Sequence, residues 1–376
     1  MNNYYIGIMS GTSLDGIDAV LSHISETGKT EVLAHTELEM DDSLRNAYFS
    51  LQTSSANELH NEALAANQLA IHYSLAVQQT LKKAQLKASD IIAIGAHGQT
   101  IRHQPQMYDG FGYTRQSLNP ALLAEISQID VIADFRSRDI AAGGQGAPLV
   151  PAFHYAQFAG NTPQAVLNIG GISNLSLLSP KNQAEVIGFD SGPGNALMDY
   201  WASRHLNKRF DESGTWAKSG TPIDALLTHM LNDAYFSLTP PKSTGRDLFN
   251  PAWLERQLQE THLTSSKAED IQATLLALCA HSIANDLKKY APHTLELFIC
   301  GGGIKNKALV ELISELCPHI PKNNIKSTAT LGIDPQAMEA AAFSWLAWAH
   351  KTKQPANLPA VTGAKGSRIL GAHYPA

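Results

Sequence analysis

"YYIGIM" near the N-terminus is apolar and rich in β-preferring residues, and "IDAVLSHI", Ile17 to Ile24, is again apolar and β-branched. Both stretches predict strands. Between them "SGTSLDG" interrupts the pattern with glycines and short polar side chains, which predicts the turn of a β-hairpin. The period changes from Ala56 to Lys83, where Leu64, Leu69, Leu75 and Val77 fall at helical spacing. "DIIAIGAHGQTIRH" then predicts a short buried strand ending at Gly95, with His97 and Gln99 just beyond it. A further strand, Ile129 to Ala133, is followed by charge and by Gly143, Gly144 and Gly146, a cluster that predicts a hinge between domains.

The second half repeats the grammar of the first. In "AVLNIGGISNLSLLSP" an apolar strand, a Gly/Ser/Asn turn at Gly170 to Asn174 and a second apolar strand predict another hairpin. One hairpin in each half predicts a two-lobed molecule whose halves share a core plan, as a duplication leaves. "AEVIGFDSGPGNALMDYW" predicts a strand ending near Phe189, a loop at Asp190 to Asn195 and a helix from about Ala196. "KSTGRDLFN" reads as a polar loop, and Ile271, Leu275, Leu278, Ile283 and Leu287 mark a long helix. "LELFICGGGIKNKALVELISEL" predicts strand, triple glycine and amphipathic helix, and Asp334 with Pro335 predicts the start of a last helix.

Composition narrows the partners. The net charge of -6 offers no basic field for nucleic acid or for an anionic membrane surface, which leaves small molecules as the expected partners. Three cysteines without C-x-x-C spacing argue against a disulfide framework or a zinc site and predict a reducing, cytoplasmic location. No apolar run reaches bilayer length. The fifteen histidines are scattered, with no H-E-x-x-H, so no protein-bound metal is expected. Oligomeric state is left open, a homodimer among the options.

The chemistry concentrates in glycine-rich turns after strands. Gly11 and Gly16 stand at the spacing of a P-loop, but Ile17 and Asp18 replace its lysine and hydroxyl residue, and a strand rather than a helix follows. Ser10, Gly11, Thr12, Ser13, Asp15 and Gly16 nevertheless offer amides and hydroxyls where strand pairing stops. With the turns at Gly170 and Gly301, this makes a set suited to the phosphates and adenosine of ATP, although each glycine alone would serve merely to relax its turn. Asp190 reads either as a cap for the loop or helix after it or as a catalytic carboxylate framed by Gly188, Gly192 and Gly194. Arg136 and Arg138 suit an ion pair with Asp134 or Asp139, or a polar ligand. His97 is equally readable as a buried histidine or as a ligand contact.

"MSGTSLDGIDAVL", "GAHGQTIRH", "ADFRSRDIAAGGQGAPLVPAFH", "LNIGGISNLSLL", "GFDSGPGNALMD", "KSTGRDLFN", "CGGG" and "MEAAAFSWLA" occur in that order. Together they resemble the anhydro-N-acetylmuramic acid kinases, bacterial enzymes of peptidoglycan recycling, over nearly the whole chain. The resemblance implies an α/β, two-lobed actin-like ATPase fold, each lobe with a ribonuclease-H-like mixed sheet flanked by helices. It implies an N-terminal lobe of residues 1–140 and 335–376 and a C-terminal lobe of 141–334.

The implied reaction consumes MgATP. The 1,6-anhydro bridge of the sugar is opened by water, and O6 takes the γ-phosphoryl group, giving N-acetylmuramic acid 6-phosphate and ADP. Asp190 is implied as the base that deprotonates the water, and Arg138 as an arginine near the sugar. Gly11, Thr12, Ser13, Leu14, Asp15, Gly16, Ile17 and Asp18 are implied as the first phosphate loop, Gly170, Gly171 and Asn174 as the second, and Gly301, Gly302 and Gly303 as neighbours of adenosine. Ser10, His97, Asn168 and Glu339 are carried over to the sugar without individual roles, and Mg²⁺ is expected to be held mainly by phosphates and water. Competing readings are an ordinary sugar kinase acting on a free hydroxyl and an ATP-switched binding protein of the actin or chaperone kind.

Overall fold

In the computed structural model, residues 3–11, 14, 16–180, 182–245 and 248–376 are described. The chain forms two units, Met1–Phe158 with Ala337–Ala376, and Ala159–Gln336. In the first, β1 (Tyr4–Ser10), β2 (Gly16–Ile24) and β3 (Thr30–Glu39) make an antiparallel ladder, and β4 (Ile91–Ala96) runs parallel to β1. A separate hairpin, β5 (Gln99–Pro105) and β6 (Gly112–Ser117), precedes β7 (Val131–Ala133), which is parallel to β4. In the second unit β8 (Gln164–Ile169), β9 (Ile172–Leu178) and β10 (Ile187–Pro193) are again antiparallel, with β11 (Glu296–Cys300) and β12 (Ile325–Ser327) parallel beyond β8. Finally β13 (Ala372–Tyr374) pairs antiparallel with β7.

The sheet orders are β13-β7-β4-β1-β2-β3 and β10-β9-β8-β11-β12. Apart from the added β13, both read as third, second, first, fourth and fifth strand of the unit's sheet. The shared order is what the repeated hairpins implied, and it is the ribonuclease-H-like plan that the resemblance implied.

Burial explains why β1 lacks strict alternation: it is covered on both faces. Ile6 and Ile8 join a core with Leu69, Tyr73 and Val77 of the helix Glu58–Ala84. On the other face Gly7 and Gly95, register partners on β1 and β4, meet the helix Met338–Lys351. A Cβ on Gly7 would lie 1.8 Å from the Ala340 carbonyl oxygen, and one on Gly95 would lie 2.0 Å from that of Phe343. Only glycine lets this helix backbone come so near the sheet. In the second unit Leu167, Ile169, Leu175, Phe189 and Leu297 pack with Leu275, Leu278, Ile283 and Leu287 of the helix Ala268–Tyr290.

Three local expectations are corrected. Asp190 lies within β10, because that strand continues through a register shift between Asp190 and Gly192. The last long helix begins at Met338, because Asp334 Oδ1 accepts the Gln336 amide at 2.8 Å in a turn of its own. Gly143 to Gly146 form no hinge at a boundary: the chain leaves the first unit at Phe158, and Gly146 N–H donates to Asp139 Oδ2 (2.8 Å) while Gln145 N–H donates to Thr362 O (2.7 Å). Among the described residues no helix is long and apolar enough to cross a membrane.

Candidate active site

The hairpin β1–β2 is in register to Ser10 and Ile17. Leu14, fully buried at φ 59, closes the turn by donating its N–H to Gly11 O at 3.1 Å. Gln99 Nε2 donates to Gly11 O (3.2 Å) and Arg45 Nε to Leu14 O (3.1 Å). Carbonyl oxygens that would repel a phosphate are thus engaged by the protein. Thr12, Ser13 and Asp15 lie outside the described residues. Ser10 is in the core, its hydroxyl 2.9 Å from the Tyr73 hydroxyl, and the Ile17 side chain is also buried, so the latter offers only its main chain. Asp18 Oδ1 accepts from His35 Nε2 at 2.7 Å. Potential ligand atoms of Asp18, His35 and Glu37 lie within 4.8 Å of one another, a grouping that linear spacing conceals because it spans β2 and β3.

Just past β4, His97 N–H extends the ladder to Ile8 O (3.0 Å). Its Nε2 accepts from Arg136 Nε (3.1 Å) and Nη2 (2.9 Å), and Arg136 Nη1 donates to Gly146 O (2.9 Å). Burial first, and then the Arg136 charge, hold the imidazole well below its ordinary pKa, so it is neutral. Arg138 is exposed and makes no hydrogen bond or ion pair among the described residues. The buried Asp139 serves Gly146, Asn357 and Thr362 rather than an arginine. Glu339 is half-buried in the first turn of Met338–Lys351.

In the second unit the β8–β9 turn is bonded from behind as well. Asn195 N–H donates to Gly170 O (2.8 Å), and the Gly194 and Ala196 amides donate to Gly171 O (2.9 and 3.2 Å). Gly194 must be glycine, since a Cβ would sit 2.3 Å from Gly170 O. Beside the turn, Asn168, Asn174 and Asp190 are successive register partners across β8, β9 and β10. Opposed residues project on one face, so the sheet gathers two amides and a carboxylate in one half-buried row.

Asp190 is held at three atoms. Its N–H donates to Lys242 O (3.1 Å), its carbonyl accepts the Tyr235 hydroxyl (2.6 Å), and its Oδ2 accepts the Thr244 amide (2.9 Å). Next to the row stands Gly301, at φ 78, where a Cβ would be 2.3 Å from Asn168 Oδ1. A Cβ on Gly303 would strike Ile169 Cγ2 at 2.2 Å, whereas one on Gly302 would meet nothing nearer than Asn195 Nδ2 at 3.9 Å. Gly301 and Gly303 are needed for packing. Gly302 presents open space.

The family model for anhydro-N-acetylmuramic acid kinase matches residues 3–376. The chain belongs to that family. It is similar to the anhydro-N-acetylmuramic acid kinase of Cupriavidus pinatubonensis, 51% identical over 372 residues that cover 99% of this chain and 98% of the relative. The Ralstonia nicotianae enzyme of the same name is 50% identical over 378 residues, covering 99% and 97%. A looser similarity, 12% identity and TM-score 0.48 over 93% and 96% of the two chains, is to the activator of 2-hydroxyisocaproyl-CoA dehydratase from Clostridium difficile. As a member of the anhydro-N-acetylmuramic acid kinase family the protein is a phosphotransferase that uses ATP.

Within the second unit the structure of this family member groups Asp190, Asn174, Asn168, Gly170, Gly171 and Gly301 to Gly303 around one end of the sheet. Within the first, Gly11, Leu14, Gly16 and Asp18 cluster at the hairpin, while Ser10 and Ile17 point into the core. Sequence reading missed Tyr235, Lys242 and Asp286 beneath Asp190. The signal available was "KSTGRD", read only as a polar loop.

Proposed function

We propose that the protein opens the 1,6-anhydro ring of anhydro-N-acetylmuramic acid with water and phosphorylates the released O6 from ATP, Asp190 acting as general base. The observation that supports Asp190 most is its anchoring at N–H, carbonyl and Oδ2 within a polar row, which fixes a carboxylate in one orientation. Asp190 takes a proton from water as the water oxygen bonds to C1. The C1–O6 bond breaks as the new C1–O bond forms, and O6 receives the γ-phosphoryl group as ADP leaves. A positioned base of this kind contributes about 10²- to 10⁴-fold.

The remaining assignments belong to the same reading. Main-chain amides around Gly11 and Gly16 and around Gly171 bind phosphate oxygens, while the Leu14 and Gly170 amides close their own turns by donating to Gly11 O and Ile172 O. Gly302, with open space where a side chain would stand, admits the adenosine. Asn168 and Asn174 orient reactants beside Asp190. Arg138, exposed and unpaired among the described residues, offers its guanidinium to the sugar, with neutral His97 and Glu339 as further contacts. Mg²⁺ would neutralise phosphate charge when bound; it prefers oxygen, and among the described residues of the first hairpin Asp18 is the carboxylate that fits it, the rest coming from phosphates and water. The reading places the enzyme in the cytoplasm.

Turnover in oxygen-18 water tests it. The label is expected on C1 of the product, and Asp190→Asn is expected to bind ATP normally while losing at least about 100-fold in kcat. An unlabelled C1 oxygen would favour an ordinary sugar kinase and overturn the hydrolytic step. Asp190→Asn turnover within a fewfold of the parent would remove Asp190 from the base role.

A further inference from the structure

Lysine is almost never fully buried unless paired, yet only 2% of the Lys242 side chain is exposed. Its Nζ lies 3.2 Å from Asp286 Oδ2 and 3.4 Å from Oδ1, and Asp286 is itself 8% exposed. The ring centroids of Tyr235 and Phe189 stand 5.1 and 5.5 Å from the ammonium, which completes a cage of one carboxylate and two aromatic faces. Ser191 Oγ donates to Asp286 Oδ2 at 2.8 Å. Such a pair is a poor stability device, since desolvation offsets its Coulomb energy and apolar replacements are often as stable. Its position suggests another purpose.

Several contacts of the cage lead to Asp190. Lys242 accepts the Asp190 N–H on its carbonyl, Thr244 two residues on donates its amide to the carboxylate, and Tyr235, a wall of the cage, donates to the Asp190 carbonyl. Ser191, the next residue of β10, holds Asp286. The register of β10 on β9 slips between Asp190 and Gly192, so the ladder is interrupted where the carboxylate must be aimed. We propose that Lys242 is a positioning residue: its ammonium, gripped by Asp286, fixes the segment from Lys242 to Thr244, so that the Thr244 amide sets the orientation of the Asp190 carboxylate for proton transfer. The proposal rests on Asp190 acting as the base.

An amide donating to a carboxylate favours its ionised form. Without that bond the Asp190 pKa rises, and the acidic limb of the kcat profile moves to higher pH. Lys242→Met keeps an unbranched side chain one atom shorter, and burial, which already pushes the Asp286 pKa up, lets that carboxyl take a proton once the ammonium is gone.

The experiment measures kcat, the KM for ATP and the pH profile of kcat for the parent, Lys242→Met, Ser191→Ala and Asp190→Asn, with circular dichroism melting of each. For Lys242→Met a fall in kcat of about 30-fold is expected, with the KM for ATP within about twofold and the acidic limb raised by about half a pH unit or more. Ser191→Ala, which removes one anchor of Asp286 without adding bulk, is expected to lower kcat by about threefold with a limb shift in the same direction. A folded Lys242→Met enzyme with parental kcat and limb overturns the proposal. Should that variant not fold, a parental profile in Ser191→Ala overturns it instead. Asp190→Asn separates the layers: if it is inactive while Lys242→Met is parental, the base reading stands and the positioning fails, and if it is active, the base reading itself fails.

Discussion

The paired glycines under the helix Met338–Lys351 allow a quantitative prediction. Alanine at Gly7 would put its Cβ 1.8 Å from Ala340 O and 2.3 Å from Ser344 N, and alanine at Gly95 would put one 2.0 Å from Phe343 O. These are backbone atoms, which no rotamer change can move aside. To restore ordinary contact the helix must retreat by about 1.5 Å, and overpacking of this kind costs about 1–3 kcal/mol or somewhat more. Taking about 3 kcal/mol for either variant, the melting temperature of a unit this size falls by about 6–12 °C. Because Gly7 and Gly95 are register partners under one helix, a single retreat relieves both clashes. The double variant is therefore expected to fall short of the sum of the singles by about 2 kcal/mol. Denaturant titration of the four proteins gives the cycle. The same movement displaces Glu339 in the first turn, and because Glu339 is proposed as a sugar contact, the KM for the sugar is expected to rise in each single variant. A single substitution costing less than about 0.5 kcal/mol, or singles that simply add, would refute the close-packed helix as the reason for the glycines.

Two further predictions concern the edges of this machinery. Burial pushes the Asp130 pKa up, but Lys351, the Ala376 amide and His373 together outweigh it and hold the carboxyl at about 2, below its unfolded value of about 3.9. Its contribution is therefore complete above about pH 4 and lost as pH falls toward about 2, so the melting-temperature difference between the parent and Asp130→Asn should be steady at pH 5–7 and shrink below about pH 4. A difference undiminished near pH 2 would contradict this. In the triple glycine, Gly302→Ala should melt within about 2 °C of the parent while raising the KM for ATP, whereas Gly301→Ala, with positive φ and a clash on Asn168, should lose about 2–3 kcal/mol of stability. Equal losses of stability in the two would remove the distinction.

Hairpins were legible because turn chemistry and flanking β-preferring runs agree at Gly11 and at Gly170, and the long helix because Leu69 and Val77 stand about two helical turns apart on its buried face. The shared strand order followed from that repetition. What escaped was set by tertiary contacts. Asp190 reads as loop because "DSGPG" is turn-like, yet pairing with Asn174 on β9 keeps it in the strand. Lys242 and Asp286 are far apart in the chain and only the fold makes them partners, and a lysine in a polar string gives no sign that it will be buried. Arg136 and Arg138 are indistinguishable by composition. A step of two residues decides that the first grips His97 while the second faces solvent.

The discontinuous first unit has a consequence for biosynthesis. The second unit is complete in sequence at Gln336, whereas the helix that lies on Gly7 and Gly95 and the strand that borders β7 are translated after it. A ribosome has therefore made all of the second sheet while the glycine face of the first still lacks its cover. Because domains tend to fold as units during synthesis, the part that carries Asp190 is able to fold early, and the part that begins the chain is the last to close.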